Sequence, residues 1–432
     1  MPPTPLPAPG SPSRLPWRQV AGLTAFAVAI GITINTLDPP LLGDRLIELS
    51  PESKNSALGL ITLAGLLTAL LWQPIAGALS DRTTTRWGRR LPYLVIGTPL
   101  AALALLAVAV APTLAWLLAA VVLTQLGTNT VQGPWQALIP DRLPAEQRGR
   151  AAGMKSAFEI LGFVIGRQLG GQLVAAGYPL LAAAAAGAAL FVALALTARL
   201  SIERDPPLRP PSEIHGLRPM LLELRRHPAF VLWFTNRLLI WGGFITLNTF
   251  LLFYVIDVLG MPQAQAQRYV ANLATILGLM LLFVPLPAGW LADRIGRRPL
   301  LVSAGLLASV GTCLILLSPD PAVLLLASAV LGLGVGIFLS ASWALVTDIV
   351  PRTDAGRYLG LANAATAGGS AAARLIGALL IDPLNQLLGT PHGGYVAVYA
   401  LALVAFLLGS LLAVALPSSP VSPEDLSAPR PA

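Results

Sequence analysis

Apolar stretches of roughly 20 residues recur along almost the entire chain of 432 residues, each long enough to cross the hydrocarbon core of a bilayer. Twelve can be read, centred near residues 28, 69, 101, 126, 164, 190, 244, 279, 308, 335, 370 and 404. Lipid offers no partner to bare backbone N–H and C=O groups, so such spans are helices rather than open sheet. Composition agrees: charged residues make up 11% of the chain, less than half of the ~25% usual in soluble domains. The expected fold class is all-α and integral to the membrane.

The chain also repeats itself. GALSDRTTTRWGRR, Gly77 to Arg90, returns as GWLADRIGRR, Gly289 to Arg298. Asp81 and Asp293 lie 212 residues apart and the pairs Arg89-Arg90 and Arg297-Arg298 lie 208 apart, so the first copy holds four extra loop residues. A second set, Asp141, Pro144, Gly149, Arg150, Gly153, Arg167 and Gly170, recurs at an offset of 207 as Asp348, Pro351, Gly356, Arg357, Gly360, Arg374 and Gly377. Two parallel halves within a membrane are a transporter architecture. The expectation is twelve transmembrane helices in two pseudo-symmetric six-helix bundles, residues 17–200 and 228–416, joined by a linker at 201–227. The proline-rich ends, 1–16 and 417–432, read as disordered tails.

The net charge of +8 would suggest a nucleic-acid partner in a soluble protein, but the placement of the charges gives a better account. With both termini in the cytoplasm, inner segments hold 22 of the 28 basic residues and outer loops only Arg45, Lys54 and Arg268. Arg167, Arg237 and Arg374 remain inside spans. This is the positive-inside asymmetry, and it sets the expected location as a multi-pass protein of the cell (inner) membrane. The N-terminal MPPTPLPAPGSPSRLPW has no signal-peptide apolar region. The single cysteine, Cys313, has no partner for an intrachain disulfide. No Walker motif, metal-ligand cluster or nucleophile elbow is present, so no enzyme, metal or cofactor reading has residues to stand on, and a monomer is expected.

The repeated loops carry a physical task. An acid buried near a helix end beside guanidinium groups pairs with them bidentately and ties neighbouring helices together. Asp81, Arg82, Arg89, Arg90, Asp293, Arg294, Arg297 and Arg298 are therefore candidate gating residues, with Asp141, Arg150, Asp348 and Arg357 as complementary charge at the ends of spans four and ten. The plainer reading is a set of solvated charges that set topology; the recurrence of the aspartates and glycines argues for more than that.

The pattern G-x-L-[AS]-D-R ending in G-R-R resembles the cytoplasmic loop signature of the major facilitator superfamily, over essentially the whole chain. The longer first copy, SDRTTTRWGRRLPYLVIG, resembles the sucrose transporters and the glycoside–pentoside–hexuronide cation symporters, although Leu91 stands where those families usually have arginine before the proline. FLLFYVIDVLG, Phe250 to Gly260, and QALIPDRLPAEQRGRAAG, Gln136 to Gly153, resemble the same groups. The resemblance implies secondary active transport of a sugar or glycoside coupled to H⁺ or Na⁺. The melibiose-type symporters bind Na⁺ through several aspartates in spans one, two and four. Here only Asp38 stands in such a place, which favours H⁺.

Ionisable residues inside spans are costly and tend to be functional or paired. Glu159, Asp38 and Asp257 are the candidates for proton coupling, Glu159 having Lys155 at i−4 as an alternative, purely structural partner. Arg167 and Arg374, at matching places in spans five and eleven, are candidates for binding substrate or for pairing with Asp38, Asp257 or Asp382. Sugar sites combine aromatic faces with amide and charged groups. The remaining candidates are Asn35, Asn129, Gln132, Trp135, Gln136, Asn236, Arg237, Trp241, Asn248, Trp343 and Asn363, with Trp72 and Gln73 in second rank. The resemblance implies that spans one, four, seven and ten line the cavity, which ranks Asn35, Gln132, Trp135, Asn248 and Trp343 highest. Two other readings stand beside sugar transport: an H⁺-driven exporter of hydrophobic or drug-like compounds, and a non-transporting pigment-assembly protein on the same scaffold.

Overall fold

The computed structural model describes residues 15–201, 228–349 and 355–416, and within these the side chains of 145, 201, 347, 348 and 355–361 are not described. Both tails apart from residues 15–16, and the linker beyond residue 201, lie outside the described residues. Every regular element among the described residues is helical. In chain order they are α1 (Trp17–Thr24), α2 (Phe26–Thr36), α3 (Leu42–Leu49), α4 (Lys54–Arg82), α5 (Leu91–Ala109), α6 (Leu114–Arg142), α7 (Ala145–Ala175) and α8 (Pro179–Ser201). There follow α9 (Pro228–Asp257), α10 (Gln263–Phe283), α11 (Pro285–Ile295), α12 (Arg297–Leu317), α13 (Pro321–Ile349), α14 (Ala355–Leu388) and α15 (Gly393–Val414).

Among the described residues, eleven helical segments are long and apolar enough to cross a membrane, the first of them running through α1, α2 and α3. The remaining span expected from the sequence corresponds to α7, which is not among these eleven and whose 31 residues include Glu146, Arg148, Arg150, Lys155, Glu159 and Arg167. Its polarity hides it from a hydropathy criterion, not its length. Span eight is broken between α10 and α11, where Pro285 and Pro287 follow. Span one is interrupted by a π-turn, Leu37–Leu41, with Asp38 at φ −121°, ψ 118°. Pro39 and Pro40 lack the N–H donors a continuous helix needs there and crowd the preceding turn, so the helix gives way at this point.

By contacts the chain divides into two compact units, Met1–Leu42 with Leu67–Ser212, and Gly43–Leu66 with Glu213–Ala432. Helix α4 therefore belongs to both: its residues through Leu66 group with the second unit and those from Leu67 with the first.

The first unit is built around Phe26, Leu94, Val131, Trp135, Leu138 and Leu190, all buried. Helices α2 and α7 pack closely within it, and the reason lies in Gly162, Gly166 and Gly170, spaced four apart along one face of α7. Small residues at this spacing let backbones meet where lipid supplies no hydrophobic drive. A Cβ on Gly166 would stand 2.6 Å from the Ile32 carbonyl oxygen and 3.0 Å from the Asn35 Cβ. The Thr36 hydroxyl completes the contact by donating to the Gly166 carbonyl at 3.2 Å. Gly166→Val should force the pair apart at an overpacking cost of about 1–3 kcal/mol; a thermal-unfolding midpoint in detergent equal to the parent's would refute the contact.

In the second unit, Phe230, Trp233, Phe250, Phe253, Phe338, Tyr395, Tyr399 and Phe406 are the large, fully buried side chains. An indole stitches equivalent spans in each half, but from opposite sides. Trp135 of α6 donates to the Leu23 carbonyl of α1 at 2.8 Å, whereas Trp233 of α9 donates to the Ser342 carbonyl of α13 at 2.9 Å.

Candidate functional site

The loop motif of the first unit forms a brace among α4, α5 and α6. Asp141, at the end of α6, accepts from Arg89 Nη2 at 2.8 Å and from Arg90 Nε and Nη2 at 3.3 and 3.2 Å. Both arginines are 5% exposed, and Arg90 also reaches Asp81 at 2.5 Å and the Ser80 hydroxyl. The Asp81 side chain is 56% exposed, the Asp141 side chain 9%. The buried acid that the motif needs is thus Asp141, not Asp81 as the sequence pattern suggested. Arg148 closes the same corner by donating to the Leu143 and Pro140 carbonyls that α6 leaves unpaired at its end. Arg82 and Arg150 are exposed.

In the second unit Gly296, at φ 90°, makes the turn between α11 and α12. Arg297 donates to the Ala344 carbonyl at 2.7 Å, and Arg294 lies 3.7 Å over the Trp290 ring. Asp293 is exposed and Arg298 half-buried. The side chains of Asp348 and Arg357 lie outside the described residues.

The polar residues inside spans sort into spent and unspent groups. Trp135, 1% exposed, is spent on Leu23 and stacks near Phe26 with ring centroids 5.9 Å apart. Asn129 donates to the Gln125 backbone and side-chain oxygens at 2.8 and 3.2 Å, and Asn35 to the Gly31 carbonyl at 2.8 Å. Trp72 donates to Thr130 at 2.8 Å. Half-buried Gln132 and Gln136, by contrast, make no hydrogen bond among the described residues. Four residues apart on α6, they share one face. Gln73 also stays half-buried, its backbone oxygen against Gly133.

Glu159 is bound to Lys155 at 2.6 Å and its side chain is 42% exposed. Arg167 is 4% exposed, lies 5.7 Å from the Phe163 ring centroid, and Asp38 supplies the opposing charge that acts on it. One Asp38 oxygen, Oδ1, is buried with no hydrogen-bond partner.

In the second unit Arg237, 2% exposed, sits in an aromatic cage of Trp233, Phe338 and Trp343, the last 4.5 Å away. It donates to Thr366 at 2.9 Å and Ser342 at 3.1 Å, with no carboxylate in an ion pair with it among the described residues. Asn236 donates to the Gly409 carbonyl at 2.8 Å, leaving its buried Oδ1 bare. Trp241 donates to Ser370 at 3.0 Å, and Arg374 to the Ser370 carbonyl at 3.1 Å. Asn248 is half-buried and Asn363 exposed. Asp257 is held by Lys54 at 2.5 Å and by the Tyr395 hydroxyl at 2.6 Å. Sequence reasoning passed over Ser80, Arg148, Ser342, Thr366, Asn55 and Tyr395, which are common polar types marked only by where the fold puts them.

Helical elements throughout the described residues, eleven segments of membrane length, a buried charge motif at the ends of α4, α5 and α6, and polar residues within the spans make up the arrangement expected of the major facilitator superfamily. The chain belongs to the MFS/sugar transport protein family, whose model matches residues 53–417. It is 32% identical over 149 residues to the minor myo-inositol transporter IolF of Bacillus subtilis (strain 168), covering 33% of this chain and 32% of that one. It is 30% identical over 132 residues to the sucrose transport protein SUC3 of Arabidopsis thaliana, covering 26% and 22%. The matched stretches thus span about a third or less of those curated relatives. In fold it is similar to a bacterial homolog of the human lysosomal transporter Spinster, with TM-score 0.70, 18% identity, and coverage of 94% of this chain and 99% of that one. Both of these relatives are named as transporters.

Proposed function

We propose that this chain moves a sugar or glycoside across the cell membrane by alternating access, as an H⁺ symporter with both termini and the 201–227 linker in the cytoplasm. The observation that carries the substrate class is the pair Gln132 and Gln136. Two amides on one face of a membrane-spanning helix hold unspent donors and acceptors, which suits a hydroxyl-rich ligand and is wasted on an apolar one. The named sugar-transporting relatives support the same reading. Gln132→Leu and Gln136→Leu should each raise KM for the sugar by up to about tenfold, the value of one hydrogen bond, with little change in thermal stability. Unchanged KM in both would remove α6 from the site.

For coupling, Asp38 is better suited than Glu159. Glu159 already has a lysine partner on its own helix at 2.6 Å. Asp38, in the π-turn after α2, has a buried oxygen without a donor, and its charge acts on the buried Arg167 of α7. A proton bound at Asp38 removes the charge facing Arg167, and its departure restores it. Proton occupancy then changes the interaction between span one and span five, which gives the two loading states different energies. For orientation, a cysteine placed at position 212 should react with an impermeant maleimide only from the cytoplasmic side; reaction from outside would invert the assignment.

A further inference from the structure

Arg237 carries a charge that nothing among the described residues balances. It stands nine residues, about 14 Å, into α9 and is 2% exposed. No ion pair among the described residues includes it. Asp348 lies on α13 six residues beyond Ser342, about 9 Å further along that helix. An isolated buried cation is costly, and the faces of Trp233, Phe338 and Trp343 offset only part of that cost. Such a charge calls for an anion from outside the chain.

The side chain is also held ready for one. Of the five N–H donors of a guanidinium, that on Nε is committed to the Thr366 hydroxyl at 2.9 Å and one on Nη1 to the Ser342 hydroxyl at 3.1 Å. Nη2 has no acceptor among the described residues. None of the sealed, unbonded polar atoms found there belongs to Arg237, so Nη2 is open to an incoming group. The flanking Trp343 and Thr366 are only half-buried, and Asn363, one turn before Thr366 on α14, is exposed. The anchorage is rigid. One turn further along both helices Trp241 donates to Ser370 at 3.0 Å, which keeps α9 and α14 in a single register, 129 residues apart at each bond. Gly369 lets the backbones meet, since a Cβ there would stand 2.6 Å from the Leu238 carbonyl oxygen.

We propose that Arg237 is the counter-ion for a carboxylate on the substrate, so that the protein prefers acidic sugars to their neutral counterparts. The inference rests on the sugar reading above and adds the charge of the sugar. A hydroxyl brings only a dipole and would leave the buried charge unbalanced. A carboxylate cancels that charge and accepts charge-assisted hydrogen bonds from the planar guanidinium fork. A single guanidinium also matches the single charge of a carboxylate better than the double charge of a phosphate ester. Thr366 and Ser342 are positioning residues in this account: they fix the fork and leave its remaining donors for the ligand.

The test is equilibrium binding to purified full-length protein in detergent, measured by calorimetry with matched pairs that differ at C6 alone: glucose with glucuronate, and galactose with galacturonate. Lactate serves as an acid that is not a sugar. The parent should bind at least one sugar acid about tenfold tighter than its neutral partner, the value of one hydrogen bond to a charged group. Arg237→Gln should level the two affinities, leave that of the neutral sugar unchanged and elute at the parent's volume. Arg237→Lys, which keeps the charge without the fork, and Thr366→Val, which frees Nε, should each give a preference between those of the parent and Arg237→Gln. Equal affinities within every pair that binds, a preference that survives Arg237→Gln, or binding of no acid at all would overturn the proposal. Lactate bound by the parent and lost in Arg237→Gln, with no sugar bound, would instead retain the charge inference and remove the sugar reading.

Discussion

Asp141→Asn is expected to cost about 3–5 kcal/mol, the usual penalty for removing one partner of a buried charge cluster. The loss falls on two arginines at once, because Arg89 and Arg90 are each 5% exposed and both bind the same Asp141 oxygen. Their charges cannot move into water without dragging the start of α5 away from the end of α6. Asparagine matches aspartate in shape and keeps one acceptor, so the effect isolates charge from packing. The check is a thermal-unfolding midpoint in detergent, together with transport at a temperature where the variant is folded. A midpoint within a degree of the parent's would show that the brace is solvated decoration. Asp81→Asn makes the internal comparison. Its carboxylate is 56% exposed, and exposed pairs contribute little, so it should lie close to the parent in stability.

Asp38→Asn is expected to abolish accumulation of substrate driven by a pH gradient while exchange of substrate across the membrane continues, since exchange moves no net proton. Glu159→Gln should leave accumulation in place, because its partner Lys155 lies on the same helix and the pair is half-exposed. The opposite pattern, accumulation lost in Glu159→Gln and retained in Asp38→Asn, would move the coupling role to α7. Loss of both accumulation and exchange in Asp38→Asn would instead give Asp38 a role in binding or in holding the π-turn.

The fold could be read in the sequence because its two strongest signals are local and repeated. Apolar runs of bilayer length, and loop motifs recurring at a spacing of 207 to 212 residues, require no knowledge of tertiary contacts. Even α7, the most charged of them, shows an apolar stretch near residue 164, and its Gly153, Arg167 and Gly170 recur at an offset of 207. The site was far less legible. The sequence shows that Asp81, Arg89, Arg90 and Asp141 recur, but not which acid is buried; that depends on how the ends of α4, α5 and α6 converge. The link between Lys155 and Glu159 was visible at i and i+4, whereas Lys54 looked like a loop charge setting topology. Its partner Asp257 is 203 residues away, and Asn55 meets Asp382 across 327. No local pattern encodes such pairings. Trp135 makes a related point: an indole in a span reads as a platform in the sequence, whereas the fold buries it and engages its N–H with the Leu23 carbonyl.

The central claim is proton-driven transport of a sugar, and reconstitution addresses it directly. Purified protein in proteoliposomes would be given radiolabelled inositol, mono- and disaccharides one at a time, with and without an imposed inward proton gradient. At least one of these should accumulate above its equilibrium level under the gradient and fall back when a protonophore is added. Identical plateaus with and without the gradient, a requirement for Na⁺ instead, or uptake of lipophilic cations but of no sugar would contradict the account.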